Sequence, residues 1–185
     1  MGNAGLLGFS SAWSSNAEWF RRIVVGADVP VATALPPVEV PATGRHLRLV
    51  IRSRNSSASH DAYILCVVNS DTSGSYSSAE VYNAGASSNS SSGVVGGGYR
   101  LGRHSSTADR ADLPGALEVL LPYYSDPTIW KIMLSRGIYA STATGYTAIH
   151  FYGGYNNTAP IRTLTLSSGA GSFVAGSTFD FYIEH

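Results

Sequence analysis

Apolar and polar residues alternate with a period of two through most of this chain. In residues 46–54 Leu47, Leu49 and Ile51 alternate with Arg48, Val50 and Arg52. Residues 115–124 repeat the pattern, with Leu117, Val119 and Leu121 on one face and Glu118 on the other. At the far end Leu164 and Leu166 alternate with Thr163 and Thr165, and Phe179, Phe181 and Ile183 with Asp180, Tyr182 and Glu184. Side chains at i and i+2 share one face of a strand, so each run predicts a strand with one buried side. Further strands are predicted at residues 19–25, at 61–69 (the most apolar run, read as a central strand), and at 75–83, 99–104 and 146–152. Residues 128–137 read as another, with Trp130, Ile132 and Leu134 on one face. Pro30, Pro36, Pro37 and Pro41 exclude a helix or a central strand between 29 and 44. Only an edge segment around residues 38–40 is expected there. No window carries a long amphipathic helix. About ten short strands separated by Gly, Ser and Pro turns predict an all-β chain, an antiparallel β-sandwich of jelly-roll-like form.

Two segments break the pattern. Residues 84–98, AGASSNSSSGVVGGG, are Ser- and Gly-rich and read as a flexible surface loop. Residues 1–18 show no period, yet hold Leu6, Leu7, Phe9 and Trp13. Four large apolar side chains in a solvated tail would be sticky. They are therefore read as an arm, residues 1–18, that makes an assembly contact beside a sandwich domain of residues 19–185.

Composition sharpens the picture. The chain has 185 residues, enough for one domain with a sizeable core. Hydrophobic residues make up 44%, which argues against disorder, and charged residues only 13%. Net charge is zero with no dense basic run, so binding driven by phosphate neutralisation is not expected, and copies of the chain do not repel one another. No apolar run is long enough to insert in a membrane, and no charged region precedes an apolar one at the N-terminus, so synthesis in a cytoplasm without export is expected. The single cysteine, Cys66, lies in an apolar run and reads as a buried hydrophobe.

Catalytic chemistry finds no foothold. His46, His60, His104, His150 and His185 include no pair at metal-ligand spacing. Asn69 and Asp71 suggest an Asx turn better than a calcium loop. No nucleophile elbow appears, and nothing pairs Glu39, Glu80, Glu118, Asp109 or Asp112 as an acid–base couple. No enzyme, cofactor or metal is expected. Tyr99, Tyr123, Tyr124, Tyr139, Tyr152 and Tyr155 fall at strand ends or loops, where they either face a sugar or protein partner or cap the ends of the fold.

Four segments carry a resemblance. Residues 161–166 (IRTLTL) followed by 171–182 (GSFVAGSTFDFY) resemble the C-terminal signature of tailed-bacteriophage virion proteins of the tail-fibre and head-decoration type. Residues 41–54 resemble their proline-led turn into a strand, 69–76 (NSDTSGSY) their N-G-D-T-G-x-N-Y turn with Ser70 in place of the first glycine and Ser75 of the asparagine, and 115–136 their paired strands. The resemblance implies a structural, surface-exposed virion component that binds other virion proteins of capsid or tail and copies of itself, as a homotrimer. It implies no catalytic residues. A short arm with one domain and no shaft suits a head decoration, a head spike or a tail-tip component. The alternative expectation is a carbohydrate-recognition module for a host surface glycan.

Overall fold

The computed structural model describes residues 17–58, 62–73, 76–84, 87–95, 97–109, 114–140 and 145–185. Among these there is no helix. Thirteen strands follow in order: β1 Ala17–Val24, β2 Val38–Glu39, β3 His46–Asn55, β4 Tyr63–Val68, β5 Tyr76–Ala84, β6 Ser87–Val95, β7 Tyr99–Arg103, β8 Ser105–Ser106, β9 Gly115–Pro122, β10 Lys131–Ala140, β11 Tyr146–Tyr155, β12 Thr163–Ser168 and β13 Thr178–Glu184.

They form two sheets. The larger runs β1-β13-β3-β9-β10-β11-β5-β6, with β8 attached to β3, and the smaller runs β2-β12-β4-β7. All ladders between strands are antiparallel except the short β3–β8 pair. β3 pairs with β13 in the large sheet, and their sequence neighbours β4 and β12 pair in the small one. One antiparallel ribbon thus rolls from one sheet onto the other, which is the jelly-roll element of the fold. Beside β3, strands β9, β10 and β11 run as a meander.

The alternation explains the packing. Leu47, Leu49 and Ile51 of β3, Val119 and Leu121 of β9, and Phe179 and Phe181 of β13 are at most 1% exposed and meet Ile64, Leu164 and Leu166 of the small sheet in one core. Tyr99 of β7 packs edge-on against Tyr76 of β5, and its hydroxyl donates to the Lys131 carbonyl of β10 at 3.0 Å. Gly153 makes room for it, because a Cβ there would lie 2.8 Å from the Tyr99 ring. Burying one Leu, Ile or Phe of this core contributes roughly 1.5–3 kcal/mol.

Three sequence expectations change. β1 takes up Ala17 and Glu18, which the sequence assigned to the arm, and pairs them with Glu184 and Ile183. The Ser/Gly-rich stretch is not a loop: β6 pairs along its whole length with β5, from Ala84–Ser87 to Tyr76–Val95. The last two strands, read only as strands with one buried side, part company: β12 lies in the small sheet and β13 between β1 and β3 in the large one. In β10 the face holding Trp130, Ile132 and Leu134 is the outer one. Trp130 is 64% and Ile132 48% exposed, while Lys131, Met133 and Ser135 point inward.

Candidate assembly face

The outer face of the large sheet follows directly from strand register. Cross-strand pairing places Trp19, Tyr182, Arg48, Leu120, Leu134, Tyr152 and Ala79 in one row across seven strands. A second row runs Arg22, Asp180, Val50, Glu118, Arg136, His150 and Val81. A third includes Arg52, Ala116, Ile138 and Ala148. Trp19, Val81, Ile132, Ile138, Tyr146 and Tyr152 stand exposed on this face, with Trp130 at its rim. Most of the large apolar side chains left in water among the described residues are gathered here.

Most of the charges on the face are tied to one another; Arg52 in the third row is exposed outside these pairs. Arg22 donates from Nε to Asp180 Oδ1 at 2.5 Å and from Nη2 to Oδ2 at 3.1 Å. Glu118 bridges two arginines: Arg48 Nε donates to its Oε1 at 2.7 Å, and Arg136 donates to Oε2 from Nε at 2.9 Å and Nη2 at 2.7 Å. Partial burial works against the Glu118 carboxylate, but the hydrogen bonds from Arg136 and Arg48, then their charges, outweigh it and hold its pKa below the usual carboxylate value. The Arg48 guanidinium also lies over the Tyr182 ring, 5.4 Å from its centre. Beside it, Leu120, Leu134, Arg136, His150 and Tyr152 line an open hollow of about 80 Å³.

The structure divides the six tyrosines picked from the sequence. Tyr123 and Tyr152 are exposed, at 39% and 49%. Tyr99, Tyr124, Tyr139 and Tyr155 are not a partner surface: each is at most 3% exposed. Their hydroxyls explain the burial, since each needs a partner inside. The Tyr124 hydroxyl donates to the Pro41 and Thr43 carbonyls at 2.9 and 3.0 Å, and that of Tyr155 to Asp71 Oδ2 at 2.6 Å. Rings with a polar tip close the ends of the sandwich while satisfying backbone that strands leave unpaired there. Asp71 and Asn69 act as turn formers: Asp71 Oδ1 accepts from the Ser73 amide, and Asn69, in a left-handed conformation, accepts from the Arg162 amide and donates to the Pro160 carbonyl. Leu6, Leu7, Phe9 and Trp13 lie outside the described residues.

Three interior polar groups carried no usable sequence signal. Arg103 and Glu80, 8% and 4% exposed, join through Nη2 at 3.0 and 3.2 Å, and the same nitrogen donates to the Tyr63 hydroxyl at 2.9 Å. The guanidinium sits over the rings of Tyr63, Tyr82 and Tyr139. Lys131 is 1% exposed, and its ammonium donates to the carbonyls of Asp126, Ile129 and Thr158 at 2.5, 2.7 and 2.8 Å. His104 is fully buried. Ser168 Oγ donates to the Ala170 carbonyl at 2.6 Å, so across the 3.1 Å contact it accepts from His104 Nε2, which fixes the neutral tautomer and leaves Nδ1 without a partner. Burial lowers its pKa to about 3. Each of these groups is buried within the fold, at most 8% exposed. The Cys66 thiol is buried, and desolvation pushes its pKa up to about 12. Among the described residues no three His, Cys, Asp or Glu side chains converge on one point.

Comparison with known protein families, with curated proteins and with solved structures returned no match.

Proposed function

We propose that this chain is a structural, surface-exposed component of a tailed-phage virion, a head decoration or spike or a tail-tip or fibre protein, that works by protein–protein assembly. The observation that carries the assembly half is the apolar outer face of the large sheet. Large apolar side chains gathered on one exposed sheet face are a mark of contact surfaces. The virion half rests on the four segments that resemble tailed-phage proteins. The arm at residues 1–16, with Leu6, Leu7, Phe9 and Trp13, is the second contact element, and the partners are copies of this chain and a capsid or tail protein.

The test uses the full chain, a chain beginning at Ala17, and an Ile132→Lys/Ile138→Lys variant. Both positions are about half exposed, so the variant keeps its thermal midpoint. It is expected to lose self-association by sedimentation at micromolar concentration, and the shortened chain to lose its place on reconstituted particles. A full-length protein that is monomeric and absent from particles refutes the reading.

A second reading, recognition of an acidic host glycan, is favoured by one feature. Among the described residues the Arg48 side chain hydrogen-bonds through Nε alone, and its guanidinium, which lies over Tyr182, borders a hollow lined by Leu120, Leu134 and Tyr152. Glycan-array binding that disappears in Arg48→Leu would support it; no binding to acidic or neutral glycans dismisses it.

A further inference from the structure

Sheet edges are where a β protein either invites or refuses another strand. The described structure has four. β2 is two residues long and flanked by Pro36, Pro37 and Pro41. β7 is five residues long, carries Arg100, and its ladder with β4 is irregular between Ile64 and Leu65. β1 carries Glu18, Arg21 and Arg22, and its ladder is broken between Trp19 and Arg21. Short length, proline, charge and bulges are the devices that prevent edge-to-edge pairing.

β6 has none of them. It is nine residues long, Ser-Ser-Asn-Ser-Ser-Ser-Gly-Val-Val, with no charge and no proline. Its ladder with β5 runs through nine consecutive pairs without a register shift, and no strand lies beyond it in the described sheet. At about 3.4 Å per residue it offers roughly 30 Å of straight backbone whose outward amides and carbonyls have no strand to bond. Of the four edges, β6 is the one that carries none of these guards.

We propose that β6 pairs antiparallel with β6 of a second copy, joining two large sheets into one continuous sheet. The proposal rests on the assembly reading above and names its partner. An uncharged strand meets its own copy without repulsion, which a charged edge does not. Centred on Ser91, the pairing sets Ser90 against the partner copy's Ser92 and Ser87 against its Val95, so both ends of the strand are used. Antiparallel pairing of identical strands is two-fold. It therefore joins copies, or larger rings of copies, in pairs, and leaves the outer face for any contact of higher symmetry.

The experiment exploits that register. Ser90→Lys/Ser92→Lys and Ser90→Glu/Ser92→Glu variants of the full chain place like charges directly opposite. Each is expected to associate at least tenfold more weakly than the parent by sedimentation, with an unchanged far-ultraviolet spectrum. Mixed in equal amounts, the two are expected to regain association as a Lys/Glu pair. Amide hydrogen exchange on the unsubstituted chain reads the contact without a mutation: successive amides of a strand point to opposite sides, so alternate amides of β6 gain protection as concentration rises through the association range. Association that survives in both charged variants, a mixture that fails to restore it, or β6 exchange that ignores concentration overturns the pairing. If such a protein still associates and the outer-face variant does not, the assembly reading stands without this contact. A protein monomeric at every concentration overturns both.

Discussion

Acid should weaken this protein through one ring. His104 is fully buried, its Nε2 is committed to Ser168, and its Nδ1 has no group to share a proton with. Burial lowers its pKa from 6.5 to about 3. Between those values the unfolded chain takes up a proton that the folded chain refuses, so stability falls as pH falls from about 7 toward 3. The size follows from the two constants. At pH 5 the unfolded histidine is nearly fully protonated and the folded one is not, which removes about 2 kcal/mol relative to pH 7. For a chain of this size that is a fall of roughly 4–8 °C in thermal midpoint. His46, whose pKa is lowered by partial burial and by Arg45, adds to the same trend. Carboxylates held below their usual pKa, such as Glu118 and Asp71, act only at lower pH. The His104 share is isolated by His104→Gln, which keeps an N–H for Ser168 and cannot titrate. Urea titrations of both proteins at pH 7, 6 and 5 should show the parent losing about 2 kcal/mol more than the variant. Equal losses would mean that protonated His104 is tolerated inside the fold, and the tautomer deduced from Ser168 would be wrong.

Two further outcomes test the interior. Glu80→Gln leaves the Arg103 guanidinium buried without its counter-charge and is expected to cost about 3 kcal/mol in chemical denaturation, part of which returns when Arg103 is also replaced by Met; a loss below about 0.5 kcal/mol, the range of a surface change, would mean that the pair is solvated. Cys66, 1% exposed with its pKa pushed up to about 12, should react with a thiol reagent far more slowly in the native state than in denaturant at pH 8, and equal rates would contradict its burial.

The sandwich was legible wherever one face of a strand was apolar and the other was not. β3 and β9 show this: Leu47, Leu49, Ile51, Leu117, Val119 and Leu121 are all buried as their spacing predicts. β10 shows the limit. Periodicity separates two faces but does not say which is inside when the outer one is also apolar. The more apolar face, Trp130, Ile132 and Leu134, lies outside, and the inner face holds Lys131 and Ser135 because neighbouring carbonyls satisfy them: three for the Lys131 ammonium, and that of Leu101 for the Ser135 hydroxyl. β6 was illegible for a different reason. Serine and glycine have weak strand preference, and what makes them a strand is the β5 ladder beside them, a tertiary effect. The tyrosines failed through the same blindness to partners, since only the fold brings Asp71 to Tyr155 or the Pro41 carbonyl to Tyr124.

The scarcity of charge takes on a meaning once its placement is known. A chain with 13% charged residues has few ions to spend on keeping its surfaces apart. Many of those it has are bound to partners within the chain: Arg103 to Glu80 and Lys131 to three carbonyls inside, Arg22 to Asp180 and both Arg48 and Arg136 to Glu118 on the outer face. A second surface approaching this face meets ion pairs already formed, set among Trp19, Leu120, Leu134 and Tyr152. Much of the desolvation that isolated ions would oppose to contact is thereby reduced, because each carboxylate keeps its guanidinium when water leaves. The guarded edges differ: among the described residues Arg21 on β1 and Arg100 on β7 form no ion pair, Arg21 standing exposed and Arg100 lying over the Tyr63 ring. Charge is thus absent from β6, largely paired on the outer face, and left unpaired at Arg21 on the β1 edge. That distribution is what a chain needs if it is to meet its own copies on chosen surfaces and avoid them on the rest.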